Sequence, residues 1–97
     1  MTHYIIVKFQ DTVSIKEELI SQINDLFSHA TEVPGIHQVH IFSSCIDRTN
    51  RHDLMIKMDL EADALNVWDS SEIHQKWKDD FGKYLAAKTI FDCNEKC

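Results

Sequence analysis

Residues 2–9 read THYIIVKF. Side chains there alternate with a period of two, the period of a β-strand. His3, Ile5, Val7 and Phe9 fall on one face; Tyr4, Ile6 and Lys8 fall on the other. The first set is the more apolar, so it predicts the face that meets a core. A histidine heads that face. Either His3 is a polar end-piece at the strand's solvent mouth, or it points inward and does chemistry.

Outward from this strand, residues 11–33, DTVSIKEELISQINDLFSHATEV, predict a helix. Ser14, with Glu17 three positions on, has the form of a capping box, in which each side chain serves the other's backbone N–H. Ile15, Leu19, Ile23, Leu26, Phe27 and Ala30 recur at helical spacing on one face. Pro34 and Gly35 then end the helix, because proline lacks an N–H and glycine permits the turn. Residues 36–45, IHQVHIFSSC, predict a second strand. Strict alternation would put Ile36, Gln38, His40 and Phe42 on one face, against His37, Val39, Ile41 and Ser43, and neither set is cleanly apolar. A polar loop leads to DLMIKMDLE at 53–61, a strand with Leu54, Ile56, Met58 and Leu60 on its buried face.

EADALNVWDSS at 61–71 predicts a short helix carrying Ala64, Leu65 and Trp68. A second start follows, capped by Asp69 or Ser70, with Glu72 in the first turn. Its inward face is Ile73, Trp77, Phe81 and Tyr84 or Leu85. Gly82 inside that helix costs about 1 kcal/mol relative to alanine. KTIFDCNE at 88–95 predicts the last strand. The order β-α-β-β-α-β is the split βαβ pattern, an α+β ferredoxin-like fold forming one domain over residues 1–97. Four antiparallel strands with helices on one face leave the other sheet face bare. A second copy is its simplest cover, which predicts a C2 homodimer.

Composition narrows the function classes. The 16 acidic and 10 basic residues give a formal charge of −6, which argues against nucleic acid as the main partner. No run approaches the roughly 20 apolar residues that span a bilayer, and no export signal heads the chain, so neither a membrane partner nor secretion is expected. Cys45, Cys93 and Cys97 are too few and too widely spaced for a disulfide framework. Reduced thiols and a cytoplasmic location are the expectation. No second ligand pair accompanies Cys93 and Cys97, and His29, His37, His40 and His52 lack metal-ligand spacing, so no metal is expected. With two glycines in the chain, a phosphate-cradling glycine loop is excluded, and no other cofactor motif occurs.

Four stretches together carry a family resemblance: HYIIVKFQDTVSIKEEL, EVPGIHQVHI, HDLMIKMDLE, and IHQKW with KTIFD. In order and spacing the chain resembles the stress-responsive A/B barrel domain, or Dabb, over nearly its whole length. The resemblance implies a dimeric α+β barrel and a stress-related or small-molecule-binding role. It also implies a distant relation to cofactor-free polyketide cyclases of the olivetolic acid kind. Those enzymes use a histidine at the start of the first strand, a second histidine before the last strand, and a tyrosine six residues earlier. By spacing these positions fall on His3, His74 and Trp68, and Trp68 has no hydroxyl. The aspartate on the last strand is Asp92.

The candidate catalytic set is therefore His3, His74 and Asp92. A neutral imidazole near its ordinary pKa of about 6.5 can abstract a proton next to a carbonyl. A carboxylate can orient the other ring nitrogen. The candidate lining of a small apolar ligand's site is Ile5, Val7, Phe27, Trp68, Trp77 and Phe81, although each of these, with Phe9 and Phe91, equally suits a packed core. Three functions follow: a homodimer binding a small apolar molecule between sheet and helices, a cofactor-free cyclase or other proton-transfer enzyme, and, by fold analogy alone, a cofactor-independent monooxygenase.

Overall fold

A computed structural model of the chain describes residues 1–94. Strands β1 (Thr2–Phe9), β2 (Ile36–Ser43), β3 (Leu54–Leu60) and β4 (Leu85–Cys93) form one antiparallel sheet in the order β2-β3-β1-β4. Helices α1 (Lys16–Phe27), α2 (Ala64–Asp69) and α3 (Glu72–Lys76) supply the second layer. The element order is the ferredoxin-like one expected from the sequence.

Alternation placed β1 and β3 correctly. His3, Ile5, Val7 and Phe9 are buried, as are Leu54, Ile56, Met58 and Leu60. Leu19, Ile23 and Phe27 of α1 join them, with Ala64 and Trp68 of α2 and Trp77 and Phe81 beyond α3. Phe27 centres an aromatic cluster, 5.6 Å from Trp68 and 5.2 Å from Trp77 between ring centroids. Such pairs add about 0.5–1.5 kcal/mol to the burial of their area.

Several local expectations fail, each for a physical reason. β2 contains a bulge between Ile36 and Gln38, with Ile36 opposite Leu60 and Gln38 already opposite Asp59. The extra residue shifts the alternation, so Ile36 shares the helix side with Val39 and Ile41. Gln38, His40 and Phe42 then face away from the helices. α1 begins at Lys16 with Ile15 at its N-cap and no side-chain capping bond. Ser14 therefore lies outside the helix and the capping box with Glu17 does not form, although Glu17 and Glu18 still complement the dipole of the first turn. Ile15 is 57% exposed and Leu26 only partly buried. The helix stops at Phe27, and Ala30–Glu32 form a separate 3-10 turn.

The second helical region is also broken. Ser71, rather than Asp69 or Ser70, caps α3, its side chain accepting from the His74 N–H. A π-helical turn follows at Trp77–Phe81, then a 3-10 turn at Gly82–Tyr84, so Gly82 is not inside an α-helix. The wide turn keeps both Trp77 and Phe81 in the core while Tyr84 reaches the surface. Gly35 is the one residue that must be glycine. Its φ is +91°, and a Cβ there would sit 2.6 Å from that of Ala64.

The sheet face away from the helices is uncovered. Phe42 and Phe91 are 49% and 58% exposed there, so Phe91 is not the core residue that its type suggested. None of the described helices is long and apolar enough to cross a membrane.

Candidate functional site

His3 is positioned by what surrounds its strand. The N-terminal ammonium donates to the Leu60 carbonyl at 3.0 Å, and the Thr2 hydroxyl donates to Asp59 at 3.2 Å. These bonds fasten the start of β1 to β3. On the other side His3 is directly opposite Asp92 of β4. Opposed residues of an antiparallel pair share a face, so the Asp92 carboxylate meets the imidazole, with His3 Nδ1 2.5 Å from Asp92 Oδ1. His3 is 6% exposed. A carboxylate accepts, so Nδ1 carries the proton that it donates, and Nε2 keeps the lone pair in the neutral ring. The result is a buried imidazole oriented by a carboxylate, with its basic nitrogen left for another partner.

His74 is held differently. Its Nδ1 lies 2.9 Å from the Asp69 carbonyl oxygen, which can only accept, so Nδ1 donates and the neutral ring has its lone pair on Nε2. Its ring centroid is 5.3 Å from that of Trp68. Among the described residues no hydrogen bond or ring contact joins His3 to His74. The structure pairs His3 with Asp92 and sets His74 beside Trp68.

Ile5, Val7, Phe27, Trp68, Trp77 and Phe81 are all buried in one cluster. Trp68 has no exposed surface, and its indole N–H has no hydrogen-bond partner among the described residues. These side chains fill the space between sheet and helices around themselves. A surface pocket of 510 Å³ lies beside α3, lined by Leu26, Val33 and Ile73 among others, and no predicted site residue lines it.

The helix layer does not extend over most of β4. Register places Lys88 opposite Val7, Ile90 opposite Ile5 and Asp92 opposite His3, all on the helix side. Yet Ile90 is 46% exposed, while Ile5 beside it is buried. An uncovered strip thus runs along β4, with the His3–Asp92 pair at one end. Ile90 and Lys88 were missed as site candidates; the alternation in KTIFD was the signal that groups them with Asp92.

A second carboxylate was missed entirely. Asp53 accepts from the Phe9 N–H at 2.8 Å and from Lys16 Nζ at 3.0 Å, tying β1, the start of β3 and α1 together. Burial pushes this carboxyl up. The Phe9 N–H, the Lys16 hydrogen bond and the nearby Lys16 and Lys8 charges outweigh it and hold the group below its ordinary value. The hydrogen bond to Asp53, and then its charge, hold Lys16 above the usual lysine value.

Among the described residues no cluster of histidine, cysteine or acidic side chains can hold a metal. Cys45 and Cys93 are free thiols, and Cys97 lies outside the described residues.

No family model matches the sequence, and no curated protein does. Solved structures do match. A dimeric ferredoxin-like protein of unknown function from Thermobifida fusca superposes with a TM-score of 0.78 at 15% identity, over 93% of this chain and 85% of that one. A hydroxynitrile lyase from Passiflora edulis gives a TM-score of 0.73 at 12% identity, over 99% and 94%. A Dabb family protein with a ferredoxin-like fold from Mesorhizobium loti gives 0.72 at 10% identity, over 96% and 93%. At such identities the likeness is one of fold and carries no activity with it. The chain thus has the α+β ferredoxin-like fold of a Dabb family protein, the fold that its sequence resemblance implied.

Proposed function

We propose that this protein is a Dabb-type homodimer that binds a small, largely apolar molecule on the uncovered strip of β4, next to His3. The observation that carries this reading is the contrast between Ile90, 46% exposed, and its buried cross-strand neighbour Ile5. The strip combines apolar surface with an imidazole and a carboxylate already ordered by one another. Dimerisation through the opposite face is supported by exposed Phe42 and Phe91 there, and by the dimeric state named for the Thermobifida fusca protein. A specific interface of this kind buries at least about 1,000 Å² in total. Sedimentation is expected to give a dimer at micromolar concentration; a monomer would remove that part of the reading.

Titration of the isotope-labelled protein with decanol, followed by NMR, tests the site. Shifts concentrated at Ile90, Asp92 and His3 are expected. Shifts confined to the pocket beside α3, or none, would overturn it.

The His3–Asp92 geometry favours a second reading, cofactor-free proton transfer. Nε2 of a carboxylate-oriented imidazole is a competent base for a C–H next to a carbonyl. His3→Ala should then abolish deuterium incorporation into a bound ketone in heavy water, while leaving decanol binding in place.

A further inference from the structure

The strip along β4 has two chemically different ends. At one, the Asp92 carboxylate holds His3. At the other stands Lys88, on the same side of the sheet and opposite Val7. Lys88 and Asp92 are four residue steps apart along the strand, or about 13 Å at the rise of a β-strand. Between them lies Ile90, whose exposed side chain gives the strip an apolar middle.

Lys88 is exposed, and no hydrogen bond or ion pair among the described residues engages its ammonium group. That is notable in a chain with 16 acidic against 10 basic side chains. Lysines on edge strands also discourage strand-to-strand aggregation. Such a guard accounts for a charge on either face of the edge strand. It does not call for the charge to be aligned with an exposed apolar residue and an ordered imidazole on the same side.

From this alignment we infer that the ligand is an amphipathic carboxylate, its head on Lys88 and its apolar body over Ile90. This inference rests on the proposed site on β4. The orientation follows from charge. The Asp92 carboxylate repels an anionic head at the His3 end, and the Lys88 ammonium attracts one at the other. The far end of the apolar body then lies against His3 Nε2, the nitrogen that the Asp92 bond leaves with its lone pair. Lys88 selects and orients the ligand and takes no part in proton transfer.

Decanoate and decanol, which share an alkyl chain and differ in head group, provide the test. Both are titrated into the wild-type protein and into Lys88→Met at low and at moderate salt, with the β4 and His3 resonances as readout. An exposed ion pair contributes up to about 1 kcal/mol, so decanoate should bind wild type about two- to fivefold tighter relative to decanol than it binds the variant. The difference should shrink as salt rises. Decanol affinity should be the same in both proteins. If decanol moves β4 but the decanoate-to-decanol ratio is unchanged by Lys88→Met, the inference fails and the binding site stands. If neither probe moves β4, the site itself fails and the inference with it. If Lys88→Met alters the monomer–dimer equilibrium but not the ratio, the strip belongs to a second copy and the inference is overturned.

Discussion

Strand β1 runs between two carboxylates, and they do different work. Near its end, Asp53 accepts from a backbone N–H and from an ammonium group, and its side chain is 17% exposed. Near its start, Asp92 sits on the edge strand, 37% exposed, with the His3 ring as its bonded neighbour. Asp53 satisfies a main-chain donor with one oxygen and clamps a helix to the sheet with the other. Asp92 fixes one nitrogen of a ring and thereby leaves the other available. A carboxylate bonded to main chain and lysine ties elements together, whereas the one bonded to imidazole fixes the orientation of a ring.

Substitutions should separate the two ends, and a core variant calibrates them. Phe27→Ala removes the centre of the aromatic cluster and should cost about 3–5 kcal/mol in denaturant unfolding, without preference for either end. A cost below about 1 kcal/mol would mean that the core closes over the gap. Asp53→Ala should cost about 1.5–3 kcal/mol, since it strands the Phe9 N–H and frees Lys16. If it were as mild as a surface change, the contrast between the carboxylates would collapse.

The pH dependence of stability sharpens the same contrast. The Asp53 carboxyl is held below its ordinary value of 3.8 in the folded chain. Its contribution is therefore complete above that value and is lost as pH falls through the lower folded value. Lys16 is held above 10.5. Its contribution is complete below 10.5 and is lost as pH rises through the higher folded value. Asp53→Asn should flatten the acid side of the stability profile, which unfolding curves at successive pH values would measure.

Asp92→Asn is expected to change stability by less than about 1 kcal/mol, because the group is on an exposed edge. Its signature should instead be a change in the nitrogen resonances of His3, as the imidazole loses the carboxylate that selects its tautomer. A large loss of stability with unchanged His3 resonances would make Asp92 a second structural tie. The smallest effect belongs to Trp68→Phe. It keeps an aromatic ring and removes an N–H that has no partner among the described residues. Lost volume and a relieved buried donor act in opposite directions, so the melting temperature should move little. A large drop would show that the cavity left by the smaller ring outweighs the relief of the buried donor.

The local pattern alone determined a good deal of this protein. Period-two alternation identified the buried faces of β1 and β3, and the helical spacing of Leu19, Ile23 and Phe27 identified the face that α1 buries. The element order then implied the ferredoxin-like sheet, because few topologies satisfy it. The family resemblance brought His3, His74 and Asp92 into view together. Tertiary structure alone decided which of them touch. His3 and Asp92 are 89 positions apart and Lys16 and Asp53 are 37 apart. Neither pairing leaves a trace in a window of a few residues. The bulge after Ile36 is equally non-local, since it is defined by the register with β3. The bare strip on β4 is decided the same way. Ile90 and Ile5 are the same residue type on the same side of adjacent strands, and only the reach of the helix layer above them buries one and exposes the other.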